Sequence, residues 1–163
     1  MYNFYTVKGK SSFPLLIAML ALPQLVGLAN ILIIGDDVNI YNSIAKPSFA
    51  PPPYYFAPIW IFLYLLMGYA SYRIALFYNN QNHKNAYTIY LLQLFLNFLW
   101  PILFFEYALY EAALIEIMIL AVLIFFCVMS FNELDSLAGV VMVPYLAWVI
   151  FATILNYFIF ILN

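Results

Sequence analysis

The side chains that could do chemistry in this sequence are mostly aromatic, and their spacing is helical. Trp60 and Tyr64 stand four residues apart, as do Trp148 and Ala152. Gln93, Asn97, Trp100 and Phe104 follow one another at steps of four, three and four. On an α-helix such steps keep side chains on one face. Aromatic walls of this kind suit a flat apolar ligand. The machinery of ordinary hydrolysis or metal catalysis is missing. There is no HExxH, no cysteine cluster, no Ser-His-Asp pattern and no pair of carboxylates placed to face each other. Cys127 stands alone, which rules out an internal disulfide and a cysteine-built metal site. His83 is solitary beside Lys84, so no metal or haem-ligating role is expected of it.

The remaining polar residues read as follows. Glu106 and Glu111 flank a turn and are expected to face water. Glu116 lies about two turns into an apolar run, where a carboxylate would cost up to about 2.5–3.5 kcal/mol at mid-membrane and less near the edge. It should therefore face a partner or water. Arg73 is expected to snorkel to a membrane surface. Gly68, Ser71 and Ala75 form a small-residue stripe that lets another helix come close. Pro101 and Pro144 should kink or loosen their helices.

These residues need a scaffold, and composition dictates its class. Of the 163 residues 68% are hydrophobic and only 7% charged, against about 45–50% and about 25% in soluble domains. A net charge of −2 offers no basic surface to nucleic acid. The chain reads as an all-α integral membrane protein, a single domain over 1–163 with membrane lipid as its surroundings. Five apolar runs are long enough to span a hydrocarbon core of about 30 Å: 13–34, 58–78, 86–105, 108–131 and 137–162. A five-helix bundle follows. The first run is longer than a signal-peptide core and holds Pro14 and Pro23, so it is expected to be a retained helix. Loop 35–57 is the long connection, stiffened by Pro47, Pro51, Pro52 and Pro53, and reads as a lid or binding loop. The segment YNNQNHKN (78–85) reads as a short polar turn. Lys8, Lys10, Arg73 and Lys84 fall on one side and Lys46 on the other, which puts the N-terminus inside and the proline loop outside.

Depth along the helices gathers Trp60, Tyr64, Asn97, Trp100, Trp148, Ala152 and Asn156 toward the proline-loop side. Two readings fit. The aromatic residues could be interface anchors and the asparagines simple interhelical bonds. Alternatively, the convergence marks a pocket beneath the loop.

Three blocks carry a family resemblance. KPSFAPPPYYFAPIWIFLYLLMGYASY (46–72) resembles the first loop and second helix of the translocator protein family, TspO/MBR, also known as peripheral-type benzodiazepine receptors. QLFLNFLWPILFF (93–105) is similar to its third helix, and PYLAWVIFATILNY (144–157) to its fifth. The resemblance implies a five-helix bundle, a homodimer, in a bacterial or mitochondrial membrane. It also implies a ligand pocket under the first loop, formed by Trp60, Tyr64, Asn97, Trp100, Trp148 and Ala152. The implied ligands are tetrapyrroles such as protoporphyrin and haem, and sterols, with sensing or transport as the role and no cofactor required. The alternative it implies is a light- and oxygen-dependent porphyrin-degrading enzyme, with Trp148 and Trp60 as the reacting tryptophans. Two positions depart from the family pattern. No basic residue follows Leu155-Asn156-Tyr157, so sterol binding through that motif is not expected. Thr88 and Leu92 replace a G-x-x-x-G in the third span, so a dimer packed on those glycines is not expected either.

Overall fold

The computed structural model describes residues 5–35, 37–77 and 81–163, and among these only helices and turns are formed apart from one isolated bridge, Val7 to Lys10. Five helices are long and apolar enough to cross a membrane. They are α1 (Phe13–Ile34), α3 (Phe56–Ala75), α4 (Gln81–Pro101), α5 (Tyr110–Leu134) and α6 (Ser136–Leu162), with a short α2 (Asp37–Ser43) in the long loop. A 3₁₀ turn, Pro53–Tyr55, feeds α3, and a π-helical turn, Ile102–Glu106, extends α4 beyond Pro101. The helices close into a ring. α1 packs on α3, α3 on α6, α6 on α5 and α5 on α4, while α4 returns to α1 through a lighter contact.

The α5–α6 pair is the tightest part because both helices carry an interlocking seam. Ala113, Ile117, Leu120, Ile124, Cys127 and Phe131 are all buried at alternating steps of four and three. Ala138, Met142, Tyr145, Val149, Ala152 and Asn156 do the same on α6. Such stripes keep two antiparallel helices in register. Asp135 alone separates the two helices, and its carboxylate caps α6 by accepting from the Ala138 N–H at 2.9 Å. A Cβ on Gly139 would lie 2.8 Å from Asn132 Cα, so the tight turn depends on that glycine. Large apolar residues such as Leu32, Phe13 and Phe95 are 76%, 64% and 59% exposed. Surrounded by hydrocarbon, this surface needs no protein partner.

The small-residue stripe of α3 has its partner in α1. A Cβ on Gly68 would fall 2.6 Å from the Met19 carbonyl oxygen and 2.7 Å from Leu20 Cα, so the two backbones nearly touch there. Two expectations are corrected. Gln81–Asn85 belong to α4, so the polar turn is shorter than the sequence suggested; residues 78–80 lie outside the described residues. Arg73 does not snorkel. It is 4% exposed and its Nε and Nη2 each donate to an Asp135 oxygen at 2.8 Å, a bidentate pair linking α3 to the α5–α6 turn. Nearby, the segment around the Val7–Lys10 bridge folds onto the end of α3. The Tyr72 hydroxyl donates to the Tyr5 carbonyl at 2.9 Å, and Lys8 sits over the Phe77 ring.

Candidate functional site

At the end of the bundle that carries the proline loop, three helices contribute aromatic side chains to one cluster. Tyr64 and Ala152 are core members, with Trp60, Trp100 and Trp148 packed against the same core. Trp60 lies 5.4 Å from the Tyr64 ring and 6.3 Å from that of Tyr145. Trp148 meets Phe56 edge-on at 6.1 Å and Phe151 at 5.4 Å. Trp100 stacks on Phe104 at 5.1 Å, held there by the π-helical turn that follows Pro101. That turn shifts the register of the helix end, so Phe104 and Phe105 both approach Trp100.

A directional chain of hydrogen bonds runs beneath the aromatic rings. Tyr64 Oη donates to Asn97 Oδ1 at 2.9 Å, Asn97 Nδ2 donates to Tyr145 Oη at 3.1 Å, and Tyr145 Oη donates to Gln93 Oε1 at 2.9 Å. All four residues are buried, and Gln93 Nε2 ends the chain without a partner. The chain joins α3, α4 and α6 and fixes the Asn97 amide. A second link begins at Trp100, whose Nε1 donates to Asn156 Oδ1 at 3.0 Å; Asn156 Nδ2 then donates to the Tyr110 carbonyl at 3.0 Å. The indole Nε1 of Trp148 is shielded and has no hydrogen-bond partner.

The loop closes over this end. Tyr41 of α2 is buried, donates to the Pro51 carbonyl at 3.1 Å and packs edge-on against Phe56 at 5.1 Å. Burial pushes its phenol above the usual range. Lys46 Nζ donates to the carbonyls of Tyr41, Asn42 and Ile44 and so ends α2. Asn163 and Ala45 exchange two hydrogen bonds of 3.0 Å, and Phe49 packs against Phe151 and Phe158. The loop is thereby fastened to the end of α6.

Of the six residues singled out from the sequence, Trp60, Tyr64 and Asn97 are joined in series, and Trp100, Trp148 and Ala152 belong to the same long bundle core. Five share the core cluster, and Asn97 reaches it through Tyr64. A sequence profile of the TspO/MBR family matches residues 19–162. The chain belongs to the TspO/MBR family. It is similar to the tryptophan-rich protein TspO of Archaeoglobus fulgidus, 34% identical over 149 residues that cover 91% of this chain and 96% of that protein. It also resembles the human translocator protein, 32% identical over 125 residues, 76% of this chain and 74% of the other. A tryptophan-rich sensory protein of Cereibacter sphaeroides is 35% identical over 117 residues, 72% of each chain. This TspO/MBR chain is thus a multi-pass membrane protein.

For this family member, spacing alone missed Tyr145 and understated Gln93. Tyr145 is one of 15 tyrosines, and only its place on the Trp148–Ala152 face, three residues before Trp148, could have marked it. Phe56 and Phe151 were also missed, because in so apolar a chain an extra phenylalanine carries no signal.

Proposed function

We propose that this TspO/MBR family member binds flat tetrapyrroles such as protoporphyrin or haem beneath the proline loop, and that it senses them or aids their movement in the membrane. The observation that carries this reading is that Trp60, Trp100 and Trp148, from three different helices, all pack against the one bundle core. Aromatic faces offer a macrocycle large apolar contact at low entropic cost. The relatives named as translocator and sensory proteins support the wider role. The ligand-binding residues of this reading are Trp60, Tyr64, Asn97, Trp100, Trp148 and Ala152. Sterols receive no separate site at the end of α6, where no basic residue follows Tyr157.

Titrating the purified protein with protoporphyrin should quench tryptophan fluorescence saturably, and Trp100→Ala and Trp148→Ala should each weaken binding about tenfold, near 1.4 kcal/mol. Unchanged affinity in both variants would overturn the pocket assignment. A second reading, light- and oxygen-dependent porphyrin breakdown, is favoured by one detail: the shielded, unengaged Nε1 of the half-buried Trp148. In that reading Trp148 and Trp60 are the oxidisable neighbours of a bound, light-absorbing macrocycle.

A further inference from the structure

The hydrogen-bonded chain Tyr64–Asn97–Tyr145–Gln93 has two unlike ends. Tyr64 lies against Trp60 at 5.4 Å and is the end that the tetrapyrrole reading gives to the ligand. Gln93 is the closed end, 0% exposed, and its Nε2 has no partner. Between them the hydrogen bonds run in one order: Tyr64 donates to Asn97, Asn97 to Tyr145, and Tyr145 to Gln93.

The same heavy-atom positions fit the opposite order. Turning each amide by half a turn exchanges its oxygen and nitrogen, and a hydroxyl both donates and accepts. Gln93 Nε2 then donates to Tyr145, Tyr145 to Asn97, and Asn97 to Tyr64. The number of hydrogen bonds is unchanged, so the two orders differ only at the ends. In the first, the Tyr64 proton is held inside the chain, the ligand meets a lone pair, and the Gln93 amide nitrogen stands idle. In the second, that nitrogen is engaged and the Tyr64 O–H is free for the ligand. A donor left idle in apolar surroundings is costly. A ligand that offers Tyr64 an acceptor therefore draws the whole chain into the second order. Movement of the tyrosine itself is a poor substitute for this exchange. Gly27 brings the α1 backbone against the ring, and a Cβ there would fall 2.6 Å from Tyr64 Cε2, so the ring has little room to swing.

We propose that this chain reverses with the ligand, so that one pocket hydroxyl serves either an N–H or a carbonyl group, and that Gln93 is the positioning residue that permits both orders. The proposal rests on the tetrapyrrole reading for the place of Tyr64, and adds a polar class to it: flat aromatic bodies that carry either a donor or an acceptor. Gln93 touches no ligand. It acts because an amide can accept from Tyr145 or donate to it. An apolar side chain in its place fixes the order. Tyr145 must then donate to Asn97, the Asn97 nitrogen turns to Tyr64, and Tyr64 meets the ligand as a donor only.

The test uses the full chain in maltoside micelles and flat tricycles of one shape: carbazole, which bears an N–H donor, 9-fluorenone, which bears a carbonyl acceptor, and fluorene, which bears neither. Calorimetry gives the affinities. Carbazole and 9-fluorenone should each bind the parent protein more tightly than fluorene does. In Gln93→Met, carbazole should fall to the level of fluorene while 9-fluorenone is held, moving the ratio of their affinities about tenfold. Gln93→Asn, whose amide stops one methylene short of Tyr145, should shift the ratio the same way and serves where the apolar substitution fails to fold. In a Tyr145→Phe background the chain is already cut, and Gln93→Met should leave the ratio unchanged. Loss of packing alone would weaken all the tricycles together. A ratio within about twofold of the parent's in both Gln93 variants, an equal shift in the Tyr145→Phe background, or tricycles that do not bind overturns the proposal. Protoporphyrin titrated separately keeps the two readings apart. Tricycles that behave as expected without porphyrin binding would overturn the tetrapyrrole ligand alone, and porphyrin binding with an unmoved ratio would overturn the reversing chain alone.

Discussion

At Trp148 the indole N–H and the ring make separable contributions. Trp148→Phe keeps an aromatic wall against Phe56 and Phe151 while removing the unengaged N–H and the oxidisable indole. Protoporphyrin affinity should stay within about threefold of the parent protein, whereas bleaching under light and oxygen should fall about tenfold or more. Absorbance followed during illumination, beside a fluorescence titration of the same sample, separates the two. Equal bleaching by both proteins and by empty micelles would remove the enzymatic reading. Tyr145 tests the polar chain. Tyr145→Phe preserves the ring but leaves Asn97 Nδ2 and Gln93 Oε1 without the hydroxyl they share. Two stranded groups in a buried site should cost about 1–2 kcal/mol, seen as a lower unfolding temperature in detergent. An unchanged temperature would mean the two amides find other partners.

Between elements, the clearest dependence lies at Asp135. Burial pushes its carboxyl up, but the hydrogen bonds from Arg73 and Ala138 outweigh this and hold it below its ordinary 3.8. A carboxylate depressed by folding stabilises the native state above its unfolded value and loses that contribution as pH falls through the folded one. Asp135→Asn should therefore destabilise the protein by about 3 kcal/mol at neutral pH, and the gap to the parent should close in strongly acidic solution. Melting curves of both proteins across pH test the sign; a constant gap would exclude the titration. Gly68→Val should force α1 away from α3, because the new side chain meets backbone rather than a movable side chain. A loss of about 1–3 kcal/mol is expected, and a melting temperature equal to the parent's would show that the helices part without penalty. The number and order of the spans could be read from the sequence because hydrocarbon demands long apolar runs. Their ends could not. Gln81–Asn85 are polar and were read as a turn, yet a helix at a membrane edge can carry polar residues at no cost. The Arg73–Asp135 pair joins residues 62 apart in sequence, and no spacing rule links them. The candidate site was legible through its tryptophans, since each sits at helical spacing from a second marked residue. Its polar underside was not, because Tyr145 and Gln93 acquire their role only when α4 and α6 face each other.

Over the whole molecule, the distribution of lysine and arginine predicts the N-terminus inside and the proline loop outside. Single cysteines at Ser48 and Lys84, both exposed, can be tagged without removing Cys127, which is fully buried. In intact cells an impermeant maleimide should label Ser48→Cys and spare Lys84→Cys; the reverse pattern would invert the orientation. The two ends of the bundle are also built differently. Opposite the proline loop, Asp135 both ends α5 and begins α6 while gripping Arg73 of α3, and Gly139 is pressed against Asn132. At the loop end, the fastenings between α2, the loop and α6 are ring contacts and single hydrogen bonds. Were α3 to tilt about that clamp while the α5–α6 seam stays closed along its length, it would act as one arm of a pair of tweezers. Each arm is about 30 Å long, so a tilt of about 5° at the clamp moves the free tip by about 2.6 Å. A rotation small enough to keep the Arg73–Asp135 pair closed would therefore shift the loop-side tip of α3 by nearly the thickness of an aromatic ring.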